Sequence, residues 1–121
     1  MRLNETFEQY KEHIHFVCVY IREAHPTDGW QVVSNEEDDV LVPQPSSTAA
    51  RAEVADVCAL RLNLRMPMVI DDMNNSTDEA YCALPERLFV IDAAGKIAWR
   101  SELGPWGFDV ETWRKELAQL I

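Results

Sequence analysis

The run His15-Phe-Val-Cys-Val-Tyr-Ile21 constrains the fold more than any other stretch of this chain. It is aromatic and β-branched and shows no alternation with polar residues, the composition of a strand. A strand of that kind must be covered on both faces, as in an α/β sheet. The flanking residues agree with this. Ahead of it, Leu3, Phe7, Tyr10 and Ile14 recur at helical spacing and predict an amphipathic helix over 3–13. Behind it, residues 25–46 carry Pro26, Gly29, the acidic run Glu36-Glu37-Asp38-Asp39, Pro43 and Pro45. An irregular stretch of that length inside a compact domain usually has a functional task.

The remainder alternates helix and strand. Thr48 is the expected N-cap of a helix over 49–62, with Val54, Val57, Cys58 and Leu62 inward and Asn63 near its end. Met66–Ile70 reads as a short strand. Ser76-Thr-Asp-Glu79 has the form of a capping box opening a helix through Ala83. Pro85 precedes a strand at 87–91, and Asp92-Ala-Ala-Gly95 turns it into a second strand at 96–100. Gly104-Pro105 breaks the chain, and Asp109 caps a last helix with Val110, Trp113, Leu117 and Leu120 as its stripe. The order α-β-loop-α-β-α-β-β-α predicts one α/β domain over 1–121. Its oddity is that a helix comes first, with no strand before it to pack on.

Charge narrows the partners. With 21 acids against 11 Lys plus Arg, the formal net charge is −10, which repels phosphate backbones and anionic lipid. No nucleic-acid or membrane partner is expected, and no stretch approaches the ~20 apolar residues of a membrane span. Cys18, Cys58 and Cys82 are odd in number, far apart and inside predicted regular elements. They read as reduced thiols of a cytoplasmic protein, as small core residues, and as no part of catalysis. No metal site is expected. His13 and His15 lack a third ligand at zinc-like spacing, and the acidic run lacks that of a calcium loop. Asp71 and Asp72 resemble a strand-end acid pair, but no glycine-rich phosphate loop accompanies them.

Four blocks carry a family likeness: VYIREAHPTDGW (19–30), MPMVIDDMNN (66–75), YCALPERLFVID (81–92) and GPWGF (104–108). In that order and spacing they resemble the iodothyronine deiodinase family, and the form with Arg22 and Gln31 looks more like its microbial branch. The resemblance implies a thioredoxin-like three-layer sandwich with a mixed sheet. It implies an oxidoreductase that reductively dehalogenates an aromatic substrate with a selenol or thiol. Its reductant would be a thiol, with no other cofactor, and the protein would be a homodimer.

In that family a strand and a loop bearing selenocysteine or cysteine precede the helix matching 3–13. The expectation is therefore a chain truncated at its N-terminus, a selenoprotein without its nucleophile, inactive as given. Loss of a central strand would leave about ten backbone groups unpaired, at roughly 1–3 kcal/mol each if buried. Strand 15–21 is thus expected to pair antiparallel with 87–91, unless a second chain supplies the contacts.

The likeness assigns roles residue by residue. Glu23 and His25 would be the catalytic pair, supporting proton transfer beside the chalcogen. Arg87 would clamp a substrate carboxylate, Trp30 would wall the aromatic site, and Pro85 matches the proline that borders the active-site loop. From residue type alone, other readings stand beside these. Glu23 and His25 suit loop backbone groups before an Asp-Gly turn, Arg87 suits a surface ion pair, Trp30 suits a loop anchor, and Trp106 suits packing. One departure weakens iodothyronine specificity: Pro45 stands where vertebrate members have a histidine after the Pro-Gln of this loop. The alternatives are a redoxin-like thiol peroxidase or disulfide oxidoreductase, and a non-catalytic remnant binding an aromatic carboxylate or a partner protein.

Overall fold

The computed structural model describes residues 2–23, 45–104 and 106–121. His25, Trp30 and nearly all of the 25–46 loop lie outside the described residues. The chain is α/β, with the elements α1 (Arg2–Tyr10), β1 (Cys18–Tyr20), α2 (Thr48–Leu62), β2 (Met68–Ile70), α3 (Ser76–Tyr81), β3 (Phe89–Ile91), β4 (Ile97–Arg100) and α4 (Val110–Ala118). It divides into two compact units, Val17–Cys82 and Met1–Phe16 with Ala83–Ile121.

The first unit is a β-α-β arrangement. β1 pairs parallel with β2, Val19 facing Val69, and the ladder continues from Cys18 N–H to Pro67 O at 2.8 Å and from Asp71 N–H to Tyr20 O at 2.9 Å. The expected strand 15–21 thus shortens to three residues, because β2 offers only three partners. α2 makes the crossover that a parallel pair requires. Its N-cap is Ser47, not Thr48: the Ser47 hydroxyl accepts from Ala50 N–H at 3.1 Å. Asn63 ends the helix in the left-handed region at φ 52°.

The inward face of α2 also departs from expectation. Arg51 and Ala55 are buried and Val54 and Cys58 half-buried, while Val57 and Leu62 are exposed. The reason is Arg51. The residue is 2% exposed, and its guanidinium donates through Nη1 to Asp71 O at 3.3 Å and Asp72 O at 2.7 Å, and through Nη2 to Asn75 Oδ1 at 3.0 Å. Holding those acceptors turns the Arg51–Ala55 face inward and the Val57–Leu62 side out.

The second unit is a hairpin covered by helices. β3 and β4 are antiparallel, with one extra residue, Ala98, accommodated on β4 between the Val90–Trp99 and Ile91–Ile97 pairs. Asp92 Oδ1 accepts from Ala94 and Lys96 N–H, each at 3.0 Å, and Gly95 takes φ +81°, a conformation that favours glycine. Asp109 caps α4, accepting from Thr112 N–H at 3.0 Å. Trp113 and Leu117 are buried, but Leu120 is exposed, because α4 ends at Ala118. Trp113 donates to Phe89 O at 3.1 Å, and its ring meets Phe16 edge-on, as Phe16 meets Phe7. Among the described residues β1 bonds to β2 and β3 to β4, in separate two-stranded sheets, so the expected antiparallel pairing of 15–21 with 87–91 is not among them.

Candidate functional site

The carboxyl ends of parallel strands are where α/β sheets build sites. In the 17–82 unit, Ile21, Arg22 and Glu23 follow β1, and Asp71 and Asp72 follow β2. Asp71 is 3% exposed and acts as a clamp. Its Oδ1 accepts from Asp72 N–H and Thr77 N–H, and its Oδ2 from Asp78 N–H, each at 2.9 Å. Burial pushes this carboxyl's pKa up, but the Asp78 and Thr77 N–H groups, the Thr77 hydroxyl and the Asp72 N–H outweigh it and hold the value below the usual range. Asp72 accepts from Ser76 N–H at 2.9 Å and Ser76 Oγ at 2.7 Å.

The expected capping box at Ser76 is therefore not formed. Asn75 is the N-cap of α3, with no side-chain cap bond, and the two aspartates take the first N–H groups in its place. Asp71 and Asp72 are thus strand-end acids with a structural task. Arg51 completes the arrangement from α2 by binding the carbonyls of the same two residues.

That frame fixes α3, and α3 in turn holds the residues after β1. Asp78, buried on α3, forms a 2.7 Å ion pair with Arg22 Nε. Glu23 comes next and is half-buried, and burial raises its carboxyl pKa above the ordinary value. Cys58 on α2 lies within its field: burial first, then the Glu23 charge, raise the thiol pKa, against a smaller opposing effect of Arg61. Cys18 is also raised by burial. The Tyr20 hydroxyl is buried without a hydrogen-bond partner among the described residues. Sequence reasoning passed over Tyr20, Arg22 and Asp78, although Arg22 and Tyr20 stand within the quoted 19–30 block.

Cys82 corrects an expectation. It is exposed, not a core residue, because it sits at the C-cap of α3 in the left-handed region at φ 50°. None of the three cysteines forms a disulfide. Among the described residues there is no cluster of three or more His, Cys, Asp or Glu side chains able to hold a metal ion.

Pro85 and Arg87 belong to the other unit. The Leu84–Pro85 peptide bond is cis. Arg87 is half-buried; its Nε donates to Ser101 O at 2.7 Å and its guanidinium lies 5.9 Å from the Phe89 ring centroid. Ser101 locks the same segment, donating N–H to Leu88 O at 2.9 Å and accepting from Leu88 N–H through Oγ at 3.0 Å. Gly104 N–H reaches Glu86 O at 2.9 Å. A Cβ at Gly104 would collide with the Glu86 side chain, and one at Gly107 would lie 2.6 Å from the Glu102 carbonyl carbon. Trp106, expected to pack, is 97% exposed, because this glycine-flanked turn carries it away from the core.

A β-α-β unit with acids beyond its strands, and a hairpin entered through a cis-proline, define an α/β protein consistent with the thioredoxin-like class. Comparison with known proteins is more specific. The model of the iodothyronine deiodinase family matches residues 2–121. The chain is 30% identical over 111 residues to the type I iodothyronine deiodinase of Xenopus laevis, covering 89% of this chain and 40% of that protein. It is 35% identical over 113 residues to the human thyroxine 5-deiodinase, covering 88% and 33%, and 35% identical over 115 residues to the bovine one, covering 87% and 34%. The chain belongs to the iodothyronine deiodinase family. It spans between a third and two fifths of the length of these relatives.

Proposed function

We propose that the protein serves reductive dehalogenation of an aromatic carboxylate, with Glu23 and His25 as its acid–base residues and Arg87 as its carboxylate-binding residue. Family membership links the chain to deiodinase-type oxidoreductases. The single observation that supports the finer reading is the state of Glu23. It is a half-buried carboxyl with a raised pKa, placed just beyond the carboxyl end of a parallel strand and next to an arginine tied down by Asp78. A carboxyl in that condition holds its proton to higher pH than an exposed glutamate does, the direction that general acid–base work requires.

In this reading a selenolate or thiolate takes the halogen from the ring. The electron pair of the carbon–halogen bond stays on carbon, and a proton relayed through His25 and Glu23 completes the C–H bond. Two equivalents of thiol then reduce the chalcogen–halogen species, releasing halide and a disulfide and restoring the nucleophile. Arg87 takes the substrate carboxylate, with its plane set by the bond from Nε to Ser101 O. This reading assigns Trp30 to recognition of the ring and Pro85 to the border of the nucleophile loop. Cys18 and Cys58 are poor nucleophiles because burial raises their pKa, and Cys82 sits at the wrong end of a helix for thiolate stabilisation. The nucleophile of this reading is a selenol or thiol other than Cys18, Cys58 and Cys82. Three cysteines outside any disulfide suit a reducing, cytoplasmic setting.

The experiment is an iodide-release assay on the protein extended upstream with a Cys- or Sec-bearing loop, with dithiothreitol and 4-hydroxy-3-iodophenylacetate. The reading predicts thiol-dependent release of iodide. Consumption of hydrogen peroxide without iodide release would support the redoxin-like peroxidase instead.

A further inference from the structure

We infer that Trp106 is the aromatic platform of the substrate site, stacking on the ring of the ligand whose carboxylate Arg87 holds. This rests on the Arg87 reading above and adds the residue that selects an aromatic ligand.

Tryptophan is among the most buried residues on average, and covering one removes some 150–250 Å² from water. Trp106 is 97% exposed, so its ring contributes almost nothing to holding the fold. The turn that carries it is nevertheless built closely. Gly107 N–H closes it on Leu103 O at 2.9 Å, and neither Gly104 nor Gly107 has room for a Cβ. Backbone bonds and glycines define this turn, so its tip could carry any side chain; the indole is surplus to the architecture.

The turn is also anchored to the segment bearing Arg87. Gly104 N–H bonds to Glu86 O, Ser101 N–H to Leu88 O, and Arg87 Nε to Ser101 O, so residues 101–104 run beside 86–88 within one unit. Trp106 is two residues beyond Gly104, and Arg87 one beyond Glu86. The backbone bonds thus set the segments that bear the two side chains next to each other. Exposed Pro85 and Leu103 add apolar surface from the same two segments. A cation and an indole so placed fit an anion with a flat ring, and on a chain of formal charge −10 an anionic ligand needs a local cation. A halogenated aromatic carboxylate has both features.

The test is isothermal titration of the purified protein with 4-hydroxy-3-iodophenylacetate and with cyclohexylacetate, which keeps the carboxylate but has no π-face. The variants are Trp106→Ala, Trp106→Phe and Arg87→Ala. Wild type is expected to prefer the aromatic probe. Trp106→Ala weakens that probe about 5–30-fold and abolishes the preference, Trp106→Phe keeps most of it, and Arg87→Ala weakens both probes alike. The melting temperature of Trp106→Ala stays within about 2 °C of wild type. If Arg87→Ala weakens binding and Trp106→Ala does not, the platform is overturned while the Arg87 reading stands. No binding by wild type, or a loss confined to Trp106→Ala, overturns the Arg87 clamp and the pose with it. A clear fall in melting temperature for Trp106→Ala shows the ring to be structural and also overturns the inference.

Discussion

Replacing Asp71 by alanine tests the frame beneath the candidate site. Its carboxylate satisfies three N–H groups at 2.9 Å, those of Asp72, Thr77 and Asp78, and the bond to Asp78 is buried. Losing the acceptor leaves the Asp78 N–H unpaired, at roughly 1–3 kcal/mol, while the two half-buried donors recover water and cost about 0.5–1.5 kcal/mol each. Asp71→Ala should therefore destabilise the protein by about 2–6 kcal/mol, a large share of a typical domain's stability. Asp71→Asn should cost less, about 1–3 kcal/mol, because its carbonyl can replace Oδ1 while its NH2 faces the Asp78 N–H. Urea denaturation followed by circular dichroism measures this as a lower midpoint at unchanged slope. The pH dependence has a definite sign. The folded pKa of Asp71 lies below its ordinary value, so its contribution is complete above the ordinary value and is lost as pH falls through the folded one. The gap between wild type and Asp71→Ala must narrow in acid. A midpoint within about 0.5 kcal/mol of wild type, or a gap that widens in acid, would refute the argument.

Other expectations are more local. Gly107→Ala should cost about 1–3 kcal/mol in the same denaturation assay, since its methyl would lie 2.5 Å from Glu102 Cβ and 2.6 Å from backbone. Gly95→Ala meets open space, and its cost of about 1–2 kcal/mol comes only from φ +81°. Burial raises the Glu23 pKa, so the folded chain holds that proton to higher pH than the unfolded chain does. Wild-type stability should consequently fall as pH rises from the ordinary glutamate value through the raised one, and Glu23→Gln should lack that fall. Iodoacetamide should label Cys82 first, with Cys18 and Cys58 protected until unfolding; mass spectrometry of partly labelled protein reads the order.

Much of the architecture was legible because it rests on periodic signals. Helical spacing announced α1, α2 and α4, the unbroken apolar run announced β1, and Asp92-Ala-Ala-Gly95 announced the hairpin turn. What escaped depends on competition among similar groups. Ser76 carries a capping motif, but the two aspartates after β2 are better acceptors and reach the same N–H groups from outside the helix. An arginine among alanines reads as solvated, so the burial of Arg51, and the turning of α2 that follows from it, could not be foreseen without the carbonyls it binds. Trp106 reads as a packing residue by its type, whereas the turn between Gly104 and Gly107 leaves it exposed. The partner of β1 is not legible in the chain, because β2, which bonds to it in parallel, lies about fifty residues away across the α2 crossover. Of the candidate site, family likeness singled out Glu23, Pro85 and Arg87. Nothing in the chain signalled the ion pair between Arg22 and Asp78, which joins residues far apart in sequence.

The most direct test of the central claim is the pH–rate profile of iodide release by the upstream-extended protein, in the wild-type form and with His25→Gln or Glu23→Gln. If this pair delivers the proton, His25→Gln lowers kcat about 10²–10⁴-fold and Glu23→Gln displaces the limb of the profile set by its carboxyl. Iodide release at wild-type rate, with an unmoved profile in both variants, would contradict the account.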